Sequence, residues 1–328
     1  MIRAAIALGT VAAAAAIVIG YLGALHPALD AFAHLRVQLI VLAGTLGLIC
    51  LVSRPRLIGL LAVGVAIVAA TDTRRWFEGA AASPANLTEA TFRSHYVLLQ
   101  QNLKFSNPAP AAFLRRVASV EPDIITLQEI DARNLATVER LASTYPHQHR
   151  CRGASAVGDV VILSRRPFAS AHPRRCSPGF ALVAVSLNGQ AVSVGSLHLH
   201  WPWPYGQWQH IDSLEPHLPR IVPPGILAGD FNAVPWSAAV ARLAALMDGA
   251  IVAGIGPTRI DPDLPHWLRR AWDIPIDNIV VTDFVDALET RTQALEGSDH
   301  DSVVLRFRLA MPPGRDSDET RGDVMVAR

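Results

Sequence analysis

Apolar residues fall along this chain in two regimes. Up to residue 71 they form long uncharged runs: 4–25, then 37–53 between Arg36 and Arg54, then 57–71 between Arg56 and Asp72. The first is long enough for a transmembrane helix. The third is short for a span and calls for a thinned bilayer or for snorkelling by Arg74 and Arg75. A cleaved signal peptide ending near Ala31-Phe32-Ala33 would account for the first run alone, and the second would still anchor the chain. Residues 1–71 therefore predict a transmembrane segment of two to three helices.

Beyond residue 71 the apolar runs shorten to strand length. Residues 72–94 read as a polar, Ala-rich linker, and 311–328, rich in Pro, Gly and mixed charge, as a disordered tail. Between them, 95–310 predicts one folded domain. Strands are expected at 96–101, 123–128, 159–164, 180–187, 191–198, 225–228, 278–281 and 302–307. Helices are expected from Pro110, with Phe113, Leu114, Val117 and Val120 on one face, and over 132–143, 205–218 and 236–247. Helices interleave with strands, while several strand pairs sit only a few residues apart, as antiparallel hairpins require. The expected fold is α/β: a four-layer sandwich of two mixed β-sheets flanked by helices, preceded by the transmembrane helices.

Charge narrows the partners. Twenty-nine Lys and Arg against 28 Asp and Glu leave a net charge of +1, which offers no broad field for nucleic acid. Of three cysteines, Cys50 lies in the second apolar run. Cys151 and Cys176 flank the strand at 159–164 and form a candidate disulfide, which needs an oxidising compartment. Arg3, Arg54 and Arg56 favour the cytoplasm for their ends, and three spans then send the rest of the chain outside. Arg74 and Arg75 argue the other way, and dropping the third span reverses the side. The cysteine pair favours a multi-pass protein of the cell membrane with an extracytoplasmic folded domain.

Polar residues close one predicted strand after another: Asn102, Glu129, His198, Asp230 with Asn232, Asp277, and Asp299 with His300. Each alone has a plain reading. Asn102 could cap a turn, Glu129 a helix start, and Asp230-Phe231-Asn232 an Asx turn. His198 could be a satisfied edge-strand histidine, and Asp277 an Arg partner. A carboxylate beside an apolar strand is costly to bury unless it is paired or binds a metal. Gathered at one end of a sandwich, these groups would form a Mg²⁺ and phosphate site.

Seven segments stand in one order: QQNLKF around Asn102, LQEI around Glu129, GDVVILSRRP at 158–167, SLHLHWP around His198, GDFNAVPWS at 229–237, PIDNIVV around Asp277 and GSDH at 297–300. This ordered set, from Tyr96 to Leu309, resembles the endonuclease/exonuclease/phosphatase superfamily. The resemblance implies Glu129 as the principal Mg²⁺ ligand, assisted by Asn102 and Asp299, with Mn²⁺ as an alternative ion. It implies Asp230 orienting or deprotonating the attacking water, and Asn232 holding the phosphate. His300 would contact a phosphoryl oxygen with Asp277 fixing its ring, and His198 would contact the phosphate or the leaving oxygen. The division between water activation and leaving-group protonation stays open. Lys104, Asn278 and Asp301 depart from the family pattern without removing a member of the set.

An aromatic loop, His200-Trp201-Pro202-Trp203-Pro204-Tyr205, follows the His198 strand, and a second, 265–272, precedes Asp277. Trp201, Trp203 and Arg269 are the candidate substrate contacts, although Pro-rigid packing explains the aromatics equally well. The expected function is a membrane-anchored, metal-dependent phosphoester hydrolase, most specifically a phosphodiesterase. Its substrate is a nucleic acid or a phospholipid head group, and its other partner the lipid bilayer. No protein partner follows from the sequence. The alternative is a membrane-tethered binding module that keeps the fold without catalysis.

Overall fold

In the computed structural model, residues 1–53, 55–78, 92–259, 265 and 272–310 are described, with side chains in the first strand from residue 95. The expected linker beyond residue 78, most of the second aromatic loop, including Arg269, and the tail from 311 lie outside them. The apolar runs become α1 (Ile2–Tyr21), a short α2 (Pro27–Asp30) flanked by 3-10 turns, α3 (Arg36–Ser53) and α4 (Arg56–Arg74). Three stretches, α1, 27–53 and α4, are long and apolar enough to cross a membrane. The third run is not short after all, because its helix continues through Asp72 and Thr73 to 19 residues, about 28 Å at 1.5 Å per residue.

Small residues face inward where these helices pack. Ala13, Ala43, Ala66 and Ala69 are buried with Ile17, and a Cβ on Gly59 would lie 2.5 Å from the Gly47 carbonyl oxygen. Leu8, Val41, Leu48, Leu60, Leu61 and Val68 point outward. Large residues outside and small ones at the contacts are the arrangement expected of helices packed in lipid.

The folded domain runs β1 (Phe92–Asn102), α5 (Pro110–Val120), β2 (Ile124–Ile130), α6 (Ala132–Glu139), β3 (His147–Cys151), β4 (Asp159–Ser164), β5 (Arg175–Ser177), β6 (Phe180–Leu187) and β7 (Gln190–His198). It continues through α7 (Gln207–Leu214), β8 (Gly225–Asp230), α8 (Ala238–Leu246), β9 (Ala250–Ile251), β10 (Asp277–Val281), β11 (Val285–Gln293) and β12 (Ser302–Ala310). Two six-stranded sheets result, in the orders β11-β12-β1-β2-β4-β3 and β5-β6-β7-β8-β10-β9. Leu98, Ile124, Ile162, Val194, Ile226, Ile279, Leu305 and Phe307 fill the space between them. One outer layer packs Phe113 and Val117 of α5 with Val138 of α6. The other packs Ile211 and Leu214 of α7 with Val240 and Leu243 of α8.

The sheets are mixed because β1–β2 and β7–β8 run parallel while their other pairings are antiparallel. Each parallel pair delivers two strand ends to the same edge: Asn102 beside Gln128, and His198 beside Asp230. Asp277 opens β10 directly across from Asp230. A disulfide joins Cys151 on β3 to Cys176 on β5, linking an edge strand of one sheet to an edge strand of the other.

Candidate active site

Asn102, at the end of β1, is the hinge of the site. Its Nδ2 donates to Glu129 Oε1 and Asp230 Oδ2, 3.0 Å each, and its Oδ1 accepts from the Lys104 amide at 2.8 Å. The Phe105 amide donates to Glu129 Oε2 at 2.8 Å. Glu129, Lys104 and Asn232 adopt φ of 59°, 60° and 48°. Left-handed backbone at non-glycine residues costs energy and gathers at functional sites. Glu129's side chain keeps 15% of its surface exposed against 2% for Asp230, so Glu129 is the carboxylate facing the mouth.

Asp230 lies between two imidazoles, with Nε2 of His198 and Nε2 of His300 each 3.6 Å away. Burial pushes its carboxyl pKa up, against the pull of His300. Nδ1 of His300 meets Asp277 Oδ2 at 2.8 Å. Burial alone would push the His300 imidazole down, but Asp277 and Asp230 outweigh it and hold its pKa up at about 10. Asp277 Oδ1 in turn accepts from Gln100 Nε2 at 2.9 Å, and its amide donates to Thr258 Oγ1 at 3.1 Å. The Ser298 hydroxyl accepts from the His300 amide and donates to the Asn102 carbonyl.

Several of these supports do not follow from the sequence. Gln100 Nε2 also donates to Gln128 Oε1, and Gln128 Nε2 donates to Ser196 Oγ. This buried polar line crosses between the sheets and ends on Asp277. A signal was present: Gln100 is an amide directly after the apolar run Tyr96–Leu99 and shares its face with Asn102 through period-two alternation. Thr258 carried no such signal.

Asn232 donates its amide to Asp230 Oδ1 at 2.8 Å and its Nδ2 to the Leu199 carbonyl at 2.8 Å. Asn278 spans Ala233 and Ile276 through its Nδ2, so this departure from the family pattern ties β10 to the loop after β8. Asp299 pairs with Arg259 at 3.3 Å, and the Arg259 guanidinium lies 5.8 Å from the Trp201 ring centre. Asp299 is therefore engaged away from Glu129. Trp201 and Trp203 are 51% and 53% exposed.

The aromatic loop is footed on a histidine. His210 on α7 accepts from the His200 amide through Nδ1 at 3.3 Å, and its Nε2 meets the Pro178 carbonyl at 2.9 Å. Burial drives its pKa down to about 4. A depressed histidine stabilises the fold above its unfolded pKa of about 6.5 and loses that contribution as pH falls toward 4. The loss is on the order of 3 kcal/mol. In thermal melts across pH 4–7, His210→Gln is expected to flatten the decline seen in wild type. Parallel curves would remove His210 as its source.

Potential metal-binding atoms of Glu129, His198 and Asp230 lie within 4.8 Å of one another, as do those of Asp230, Asp277 and His300. Asp277 and His300 are occupied with each other. In the first group, Glu129 is the carboxylate open to the mouth, and with Asp230 close behind it the chemistry there suits a hard divalent cation at Glu129.

Residues 99–300 match the family model described as "Endonuclease/Exonuclease/phosphatase family". No curated protein matches the chain significantly. Among solved structures, an endonuclease/exonuclease/phosphatase from Beutenbergia cavernae is 21% identical, with 66% of this chain and 72% of that one covered at a TM-score of 0.53. One from Bacteroides vulgatus is 15% identical, covering 66% and 100% at 0.54. A humanized TDP2 of D. rerio is 18% identical, covering 66% and 99% at 0.51. At these identities the likeness is one of fold.

Proposed function

We propose, for a chain that belongs to the endonuclease/exonuclease/phosphatase family, that it is a membrane-anchored, Mg²⁺-dependent phosphodiester hydrolase with its catalytic domain outside the cytoplasm. The observation that carries this reading is the buried Asp230 between two imidazoles, one of them fixed by Asp277, beside a carboxylate open to the mouth. Glu129 would hold the metal with Asn102 behind it, and Asp299 would join only by leaving Arg259. A divalent cation held there would supply Lewis-acid polarisation of a phosphoryl oxygen and offset its charge.

The rest belongs to the chain's own groups. Asp230 accepts a proton or a hydrogen bond from the attacking water at a carboxylate oxygen. His300, held protonated by Asp277, donates from Nε2 to a phosphoryl oxygen as negative charge builds. His198 and Asn232 hold the phosphate from either side.

A balanced net charge and the exposed Trp201, Trp203 and Tyr205 favour a lipid head-group phosphodiester over a nucleic-acid backbone, which draws on clustered Lys and Arg. Purified full-length protein is expected to hydrolyse bis-(p-nitrophenyl) phosphate with Mg²⁺ or Mn²⁺ and to stop with chelator. On a panel of DNA, RNA, sphingomyelin and inositol phosphates, the lipid should turn over fastest. No metal-dependent hydrolysis of any of them would leave the tethered binding module as the reading.

If all three stretches cross, residue 3 and the α3–α4 turn would lie on one side of the membrane and the folded domain on the other. The Cys151–Cys176 disulfide supports the oxidising side for that domain. In intact cells both cysteines are expected to resist thiol reagents until reductant is added. Labelling without reductant would put the domain in the cytoplasm.

A further inference from the structure

The stretch 22–35, which joins α1 to α3 and includes the start of the second candidate span, is docked on the catalytic domain. Asp30, 2% exposed, accepts from the amides of Ala238 at 2.7 Å and Ala239 at 3.0 Å. It thereby caps α8 from more than 200 residues away in the chain. A carboxylate buried this fully needs such a partner, and a helix N-terminus suits its charge. The fit is close: a Cβ on Gly23 would lie 2.6 Å from Asp30 Oδ1. Trp236 donates its indole N–H to the Ala33 carbonyl at 2.8 Å and meets the Phe77 ring at 5.7 Å. Arg36 stacks 4.0 Å from the Tyr21 ring centre and pairs with Asp72 at 3.2 Å. Both ring nitrogens of His34 are shut off from solvent. They sit against backbone groups of Asn232, Asp30 and Ala31 without a well-formed hydrogen bond.

The Trp236 and His34 contacts fall within residues 231–237, the segment between β8 and α8 that carries Asn232, and the Asp30 bonds fall just past its α8 end. One end of it is fixed by β8 pairing, and the other by the start of α8. We propose that residues 22–35 are a positioning element of the active site. Asp30 holds the start of α8, and His34 backs Asn232, so the membrane segment sets where the phosphate-holding amide stands. This rests on the phosphodiesterase reading above. Asp30 touches no substrate and acts through Asn232.

The test uses full-length protein in nanodiscs with Mg²⁺ and bis-(p-nitrophenyl) phosphate. Asp30→Ala should lower kcat on the order of ten- to a hundredfold, the scale of a small misplacement of a reacting group. Asp30→Asn, which keeps an acceptor, should recover much of the loss. Trp236→Phe, which keeps an aromatic ring against Phe77 but loses the indole hydrogen bond and part of the side chain's volume, should fall between Asp30→Ala and wild type. Ser237→Ala removes the other α8 cap, on Val240, without touching the connection, and should stay within about twofold of wild type. Hydrogen exchange of peptides over 231–239 should accelerate in Asp30→Ala whether or not the enzyme turns over this substrate. Wild-type kcat with unchanged exchange in Asp30→Ala would overturn the proposal, as would an equal loss in Ser237→Ala. A wild type without hydrolysis would count against the phosphodiesterase reading alone. The exchange data would then decide the docking by themselves.

Discussion

His300→Ala is expected to lower kcat for bis-(p-nitrophenyl) phosphate by at least about a hundredfold, with KM little changed. The imidazole is buried, its Nδ1 is committed to Asp277, and its Nε2 faces Asp230. A donor prepared in this way acts most strongly where charge develops, and removing one such group typically costs 10²–10³ in kcat, about 3–4 kcal/mol. Asp277→Asn should cost nearly as much, because the amide no longer favours the charged ring. The double variant should then fall little further, as groups acting as a unit do. Glu129→Ala should lose comparable activity in a different manner, with the response to Mg²⁺ concentration flattened. Additive losses in the His300 and Asp277 pair would break the couple apart. Wild-type turnover in His300→Ala would end the mechanism.

The second large effect is on folding. In Gly229→Ala the new Cβ would lie 1.9 Å from the Leu197 carbonyl oxygen and 2.8 Å from its carbon. Those are backbone atoms of the paired strand, so β7 and β8 must part at the place where His198 lies beside Asp230. Overpacking a core costs about 1–3 kcal/mol even where side chains can yield, and here none can. The expected destabilisation is on the order of 3 kcal/mol, or roughly 6–12 °C in melting temperature. Gly195→Ala is the control, since its Cβ first meets Leu227 Cδ1, the tip of a side chain. A Gly229→Ala melt within two degrees of that control would refute the close approach as the reason for this glycine.

The sandwich was legible in the sequence because its inner strands are apolar and short. The strands missed, β3, β5, β9 and β11, are the four edges of the two sheets. An edge strand such as HQHRC or VDALETRTQ alternates weakly and carries charge, which deters pairing with other chains and also hides it from a hydrophobic pattern. In the site, the groups at strand ends were visible because polar residues after apolar runs stand out. Their supports were not. Thr258 meets the Asp277 amide from 19 residues away, and Arg259 draws Asp299 aside. Asp30 reads in sequence as a polar break between spans, and only the fold brings it to α8.

That docking bears on how the protein is prepared for study. A usual route to a soluble enzyme is to cut away the hydrophobic front and express the remainder. A fragment starting near residue 92 would lose the acceptor for two α8 amides, worth about 1–2 kcal/mol as a helix cap. It would also bare Trp236, whose partners Ala33 and Phe77 are gone. Such a fragment would be less stable and stickier than the parent, and its inactivity would say little about the chemistry. A longer fragment that keeps residues 22–35, or the full-length protein in a bilayer mimic, is the sample on which the catalytic groups should be judged.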